Sequence, residues 1–217
     1  MNRIRRLIPV VLLAALACSV GACGELLGIC YHVVNPPQSV DAVCTLPADQ
    51  RICVFVEDAG LTGSHPVTRT LTEALNEQLE TQDVAAETVS YRKLLNLSAA
   101  APDFSTRRTV DIARDAGADL VCTVRITEFS LKDTDVKGVW KGKLAAVVDV
   151  HDVETGRRLG PGNDPEGYLV EPVELPMSHS TDQDYGAQLA QNLSHRMADR
   201  IAKLFYKHRV RPAEMEQ

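Results

Sequence analysis

The feature that most constrains this sequence is the stretch Gly117–Phe129, which leaves a glycine and then runs as a candidate β-strand. Apolar and mixed residues alternate along it, which is the period of a strand with one buried face. That face carries Leu120, Cys122, Val124 and Ile126. Such a strand is typical of a sheet that helices cover chiefly on one side. A second long strand, Val139–Val153, is predicted to pair with it.

The segment before this strand alternates between strand-like and helix-like patterns. Ile52–Val56 is a continuous apolar run of strand length, and Val67–Leu79 has apolar residues at helical spacing. Val84–Tyr91 then alternates as a strand, and a helix that Ser105 or Thr106 caps comes next. This order predicts an α/β sheet with crossover helices.

The C-terminal third adds an edge strand and a long helix. Gly167–Leu175 is the candidate edge strand, because Pro172 and Pro176 limit its pairing. Asp184–His208 has the spacing of an amphipathic helix. We therefore predict an α/β (α+β) fold: a mixed central sheet of about five strands, with helices packed on it and a C-terminal amphipathic helix.

The first residues have the pattern of a processing signal. After a positively charged start, Leu7–Ala17 is an apolar run of eleven residues, shorter than the roughly 20 that a membrane-spanning helix needs. Val20-Gly21-Ala22-Cys23 then resembles the lipobox of bacterial lipoprotein signal peptides, which is an aliphatic residue, two small residues and a cysteine. The run that ends at Cys18 matches this pattern less well.

The lipobox resemblance implies acylation of the Cys23 sulfur, cleavage before that residue and acylation of the new amine. Several acyl chains would anchor the protein, since each buried methylene contributes about 0.8 kcal/mol. A plain secretory signal is the alternative. The residue after Cys23 is Gly24, whereas an aspartate there would resemble an inner-membrane retention signal. The periplasmic face of the outer membrane is therefore favoured over the inner membrane or secretion. The expected organisation is a signal peptide at 1–22, a lipidated N-terminus and connector at 23–50, the α/β domain at 51–209 and a tail at 210–217.

The cysteines fit an exported chain. Cys30 and Cys44 lie in the connector and are a candidate disulfide in an oxidising compartment. Cys53 and Cys122 lie in predicted strands, where they are expected to be small buried apolar residues. No Cys-x-x-Cys occurs, and no pair of cysteines has a histidine at ligand spacing. We therefore predict neither a metal site nor a cofactor.

Charge and motif spacing bear on partners and chemistry. The net charge is −6, which argues against a nucleic-acid partner.

The loop from Gly60 through Gly63 to His65 lies between a strand and a helix N-terminus, where a ligand or partner could bind. An ordinary strand–helix turn is the alternative. Ser178-His179-Ser180 places a nucleophile beside a base, but no orienting carboxylate is evident. We predict no catalytic residues.

Several stretches together resemble one superfamily of periplasm-facing lipoproteins and domains. They are Ile52–Val56, Ala116–Val121 with its long strand, Val147–Gly156 with its turn, and the terminal helix behind a lipobox. The superfamily includes the curli assembly lipoprotein CsgG, the penicillin-binding-protein activator LpoB and the TolB N-terminal domain. The resemblance implies a small α/β interaction domain. The connection 130–138 is too short for the spanning hairpins of a CsgG-like pore.

Three hypotheses of function follow. The first is a lipid-anchored envelope protein that binds another envelope component without catalysis, through a sheet edge or through the loops at Gly60–His65 and Gly160–Pro165. The second is a homo-oligomeric export or structural component of the outer membrane, in which the edge strand Gly167–Leu175 pairs with a neighbouring subunit. The third is a hydrolase whose site is assembled from distant loops.

Overall fold

A computed structural model describes residues 38–47, 49–58, 60, 66–131, 139–180 and 184–210, with His179 described by its backbone alone. The chain divides into two compact units. The described residues of the first unit form two short strands, and Asp41–Lys207 forms the second unit, which holds the main sheet. The predicted signal peptide and the cysteines at positions 23 and 30 lie outside the described residues.

The described elements follow one another in the order of an α/β protein. The strands are β1 (Gln38–Val40), β2 (Arg51–Glu57), β3 (Glu87–Thr88), β4 (Leu120–Ser130), β5 (Val139–Asp152), β6 (Arg158–Gly160), β7 (Tyr168–His179) and β8 (His208–Val210). The helices are α1 (Val67–Thr81), α2 (Tyr91–Ala100), α3 (Thr109–Asp115) and α4 (Tyr185–Ala202), with a 3₁₀ turn at Phe104–Thr106.

The main sheet is mixed and has six strands in the described chain, where the sequence predicted about five. Strands β3, β2 and β4 are parallel, and β5 pairs antiparallel with β4. On the far side of β5, β6 pairs with its end and β7 with most of its length, both antiparallel. The sixth strand arises because β6 and β7 lie one after the other along β5, and the segment between them interrupts the pairing.

Two hydrophobic clusters lie on opposite faces of the sheet. The larger contains alternate residues of β2, β4 and β5, including Val54, Cys122 and Leu144, packed on α1 and α4. The smaller contains the intervening residues of β2 and β4, including Cys53 and Val121, packed on α2 and α3. The alternation that predicted one buried face on β4 is confirmed, and α2 and α3 also bury the start of its second face.

The region before α2 differs from the prediction of a strand at Val84–Tyr91. Only Glu87–Thr88 pairs with β2, and Tyr91 is the first residue of α2. Ser90 caps this helix: its backbone is extended, and its Oγ accepts a hydrogen bond from Lys93 N at 3.4 Å. The strand is short because a serine cap turns the chain away from the sheet.

Two other boundaries also differ from the sequence-based expectation. The last helix ends at Ala202 rather than at His208. Turn hydrogen bonds follow at Leu204 and Phe205, and residues 208–210 then form β8. Strand β7 continues through both prolines to His179. Its register against β5 shifts at two places, so that residues 171–172 and 176–177 each lie opposite a single β5 residue. These are β-bulges, which accommodate proline because they interrupt the ladder.

The first unit is a two-stranded antiparallel pair. Strands β1 and β8 pair in the register Gln38 to Val210 and Val40 to His208. The segment that the sequence assigned to a connector therefore contributes one strand.

Candidate functional site: a cleft at the carboxyl end of β2

An apolar cleft of about 180 Å³ opens at the carboxyl end of β2, between α1 and α2. Its lining residues are Phe55, Val56, Thr68, Thr72, Tyr91, Leu94, Leu95, Ser98 and Phe104. Leu95 is 50% exposed at its rim. As far as the described residues form it, the lining holds hydroxyl groups and hydrocarbon, with no carboxylate, imidazole, thiol or amine. A mainly apolar lining with a few hydroxyl groups is typical of ligand-binding clefts.

Local contacts hold the walls of the cleft in place. Asn76 on α1 is buried, and its Nδ2 donates to Val89 O at 3.0 Å, which ties α1 to the segment that leads into α2. The rings of Phe55 and Phe104 lie 6.1 Å apart between centroids and are tilted by 48°. The cleft is therefore built by the sheet, by both helices and by the 3₁₀ turn after α2.

The loop that the sequence singled out begins next to this cleft. Asp58 Oδ1 accepts from Gly60 N at 2.8 Å, and Asp58 Oδ2 accepts from Thr68 Oγ1 at 3.5 Å. Gly60 has φ +81°, which favours glycine. Gly63 and His65 lie outside the described residues, so their part in a site stays a prediction.

The edge of β2 beside the cleft is only partly paired. In a strand, backbone groups of successive residues point to opposite neighbours. Arg51 O accepts from Asp119 N, just before β4, and Ile52 O accepts from Val89 N on the β3 side. The groups of Val54 and Val56 therefore also point to the β3 side, where β3 has ended. They make no backbone hydrogen bond there within the described chain.

A second cleft, of about 300 Å³, lies at the opposite end of these strands and is polar. Three of its charged groups, Arg114, Asp119 and Asp152, make local hydrogen bonds. Arg114 Nη2 donates to Val153 O at 2.6 Å, and Asp119 Oδ2 accepts from Arg51 N at 2.8 Å. Asp152 Oδ1 accepts from both N and Oγ1 of Thr155 at 2.7 Å. The backbone N–H of Thr155 is the main cause that lowers the pKa of Asp152. These carboxylates cap turns and strand ends.

The described cysteines are thiols in apolar surroundings. Burial raises the pKa values of Cys53 and Cys122 to about 12, and the two side chains belong to clusters on opposite faces of the sheet. Their predicted role as small buried residues is confirmed. Cys44 is half-buried, donates from Sγ to Leu159 O at 3.6 Å, and has a pKa raised by burial. Its pairing with Cys30 stays a prediction, because Cys30 is not described.

Ser178 from the Ser178-His179-Ser180 stretch and the charged side chains beside β5 are held in structural contacts. Ser178 Oγ is hydrogen-bonded to the hydroxyl of Tyr185. Asp149 Oδ1 accepts from Arg158 Nε at 2.5 Å, and its Oδ2 lies 3.7 Å from His151 Nε2. Arg158 also donates to Pro161 O, which holds the candidate loop Gly160–Pro165 against β5. None of these side chains lines the apolar cleft.

The described residues hold neither a candidate metal site nor a candidate membrane span. No group of three or more histidine, cysteine, aspartate or glutamate side chains is placed to hold a metal ion within the described ranges. None of the described helices combines the length and the apolar character needed to cross a bilayer.

Sequence reasoning missed the walls of the cleft contributed by α2. It placed Tyr91 at the end of the strand Val84–Tyr91, so Leu95, Ser98 and Phe104 had no common location. The missed signal was Ser90, an N-cap residue placed three positions before the amide that it binds.

Comparison with known proteins gives similar structures but no family. No protein-family model matches the sequence, and no curated protein matches it. Among solved structures, the PelC dodecamer from Paraburkholderia phytofirmans is 13% identical over 80% of this chain and 99% of that chain, with a TM-score of 0.44. Lipoprotein GNA1162 from Neisseria meningitidis is 13% identical over 69% and 98%, with a TM-score of 0.42.

The C-terminal domain of LpoB from Salmonella enterica is 15% identical over 62% of this chain and 86% of that chain, with a TM-score of 0.35. Bacterial lipoproteins, among them LpoB from the sequence-based resemblance, are thus among the similar structures. The CsgG and TolB parts of that resemblance stay predictions. Identities of 15% or less and TM-scores below 0.5 carry no argument about function, so the proposals rest on the residues of this chain.

Proposed function

We propose that this chain is a lipid-anchored protein of the bacterial cell envelope that acts as a non-enzymatic binding module for another envelope component. The observation that carries the proposal is the apolar cleft between α1 and α2, at the carboxyl end of β2. Ligands of open α/β sheets bind at that end of the strands. A half-exposed leucine, Leu95, at its rim provides apolar area for a partner to cover.

The proposed location follows from the sequence of the first 23 residues. The signal-like run and the lipobox that ends at Cys23 support a lipid anchor, and Gly24 supports the periplasmic face of the outer membrane. A mature chain anchored at Cys23 would hold the described residues outside the cytoplasm.

The absence of catalysis is also a proposal, and the chemistry of the cleft supports it. A hydrolytic site needs a nucleophile, or an activated water, and a base within hydrogen-bond reach of each other. The described lining offers the hydroxyls of Thr68, Thr72, Tyr91 and Ser98. No base is among the described lining residues. The carboxylate of Asp58, beside the cleft, accepts from Thr68 Oγ1 at a long 3.5 Å and also binds Gly60 N, so it acts in the local turn.

The binding site can be tested by site-specific photo-crosslinking in membranes of the native host. A photoreactive amino acid replaces Leu95 at the cleft, and a matched variant carries it at Leu169, which is 65% exposed on β7. We expect a discrete heteromeric adduct from position 95 and none from position 169. An adduct with a second copy of this chain would instead support the oligomeric hypothesis. Equal crosslinking at both positions would contradict the proposed site.

The anchor can be tested by metabolic labelling with a fatty acid. We expect Cys23→Ala to lose the label and the matched variant Cys18→Ala to retain it. Undiminished label in Cys23→Ala would reject Cys23 as the acylated residue.

A further inference from the structure

We propose that the cleft binds an extended peptide segment of a partner protein, which adds as a strand to the edge of β2 in line with β3. The inference rests on the proposed function and adds the chemistry of the partner: a polypeptide in β conformation with apolar residues at alternate positions. Strand addition is an established mode of peptide recognition, in which backbone hydrogen bonds give affinity and side-chain pockets give specificity.

The first support is the unused backbone of β2. Beyond Ile52, the outward N–H and C=O groups of Val54 and Val56 have no backbone partner in the described part of the chain. Both residues are buried, at 0% and 9% exposure, and Val56 at the end of this edge lines the cleft. Backbone groups of folded proteins rarely stay unpaired at such depth. An added strand supplies donors and acceptors at the required spacing of two residues.

The second support is the shape of the space around this edge. Val56 belongs to the cluster on the α1 face and Phe55 to the cluster on the α2 face, and both line the cleft. The cleft therefore straddles the strand edge, between one helix above the sheet and one below it. A strand lies about 4.8 Å from its neighbour. A helix about 10 Å across would be too wide to reach the β2 backbone through a cleft of about 180 Å³.

A third support is an unsatisfied acceptor where β3 ends. Asn76 is 8% exposed, and its Nδ2 donates to Val89 O, yet its Oδ1 has no hydrogen-bond partner and is buried. Val89 O is the acceptor that Val54 N would use if β3 continued, and Asn76 Nδ2 binds it instead. Among the described residues, pairing of this edge stops at Val89, and the edge beyond it has no described partner strand.

Hydrogen exchange of the free, full-length mature protein in detergent micelles tests the premise. We expect exchange to alternate along β2, with the amides of Val54 and Val56 at least about tenfold faster than those of Cys53 and Phe55, which point to β4. Equal protection of all four amides would show that the edge is already occupied and would overturn the proposal.

A peptide selection tests the occupant. The probe is a phage-displayed random decapeptide library, panned on the same full-length protein and counter-selected on Leu95→Asp. We expect enriched peptides to have apolar residues at alternate positions, and Leu95→Asp to weaken the best synthetic peptide by about tenfold or more. Leu169→Asp, on exposed β7, is the matched control and should leave the affinity unchanged. A library that gives no Leu95-dependent binder would overturn the proposal.

N-methylation of that peptide distinguishes strand addition from other binding in the cleft. Methyl groups on alternate peptide nitrogens should weaken binding by about tenfold each, and those on the intervening nitrogens should have little effect, because only one set faces β2. Uniform sensitivity, or none, in a peptide that still depends on Leu95 would overturn strand addition and leave the proposed function standing. Failure of photo-crosslinking at position 95 would count against the proposed function itself.

Discussion

The two edges of the main sheet differ in how their backbone groups are used. At one edge, β7 is twelve residues long, but prolines occupy both of its bulges. Arg200 on α4 donates to Glu171 O at 3.0 Å and to Pro172 O at 2.5 Å. At the other edge, β3 covers only the start of β2, and Val54 and Val56 are left without such a contact in the described chain.

The difference shows that the length of an edge strand does not decide whether another chain can pair with it. Proline removes donors, bulges break the register, and a cation that takes up carbonyl oxygens removes acceptors. By these criteria we expect β7 to resist strand addition; the sequence-based prediction that it forms an oligomer interface stays a prediction. The edge without a partner in the described chain is the short segment of β2 that ends at Val56 in the cleft.

The largest expected effect comes from proline substitutions at neighbouring positions of β2. Phe55→Pro removes an N–H that points to β4 and should lower the free energy of unfolding by about 3 kcal/mol or more. Val56→Pro removes an N–H without a described partner and should cost only about 1 kcal/mol, since extended backbone at Phe55 suits a following proline. Urea denaturation followed by circular dichroism measures both. Equal losses would show that the outward edge of β2 is bonded after all.

A smaller effect separates the floor of the cleft from its rim. Leu94 is 6% exposed and Leu95 is 50% exposed, so Leu94→Ala should destabilise the protein by about 2–3 kcal/mol. Leu95→Ala should change stability by less than about 0.5 kcal/mol. The same denaturation assay checks this pair. A large loss for Leu95→Ala would mean that the rim belongs to the core and is not free for a partner.

The protection of the β7 edge can be removed by combining Pro172→Val, Pro176→Val and Arg200→Ala. We expect the free energy of unfolding to fall by about 1 kcal/mol, as Arg200 loses its backbone contacts, and the protein to self-associate as concentration rises. Sedimentation velocity across a dilution series measures the association, with exposed Arg196→Ala as the control. If the triple variant associates no more than this control, the prolines and Arg200 are not what protects the edge.

The smallest effect concerns charge pairing beside β7. Lys143 Nζ lies 2.9 Å from Glu128 Oε2 and 3.7 Å from Glu174 Oε1, and its pKa is raised, with the hydrogen bond to Glu128 as the main cause. A folded-state pKa that is raised stabilises the protein at pH values below the unfolded-state pKa of lysine, about 10.4. This stabilisation is lost as the pH rises through the folded-state pKa. Because Glu128 makes the closer contact, Glu128→Gln should lower the pKa of Lys143 more than Glu174→Gln does. NMR titration of the lysine would measure both changes. The reverse order would contradict the geometry.

The sequence predicted the parts of the fold that follow from periodicity. Alternation along β4 gave its buried face, and Gly117 has the left-handed φ of +70° expected at the end of a helix. The edge of β2 that lacks a described partner was not predictable in this way. It depends on where β3 stops, and β3 stops because Ser90 caps α2 and Asn76 takes the carbonyl of Val89. A polar residue on a helix surface gives no signal in sequence that it will end a strand elsewhere.

The antiparallel pairing of β1 with β8 has a practical consequence for labelling. Because Gln38 lies opposite Val210, the backbone enters the pair from residue 37 and leaves it toward residue 211 at the same end. A fluorophore or affinity handle fused directly after Val210 therefore starts next to Gln38, so a second label placed at Gln38 would form a short-distance pair with it that reports whether β1 and β8 stay together.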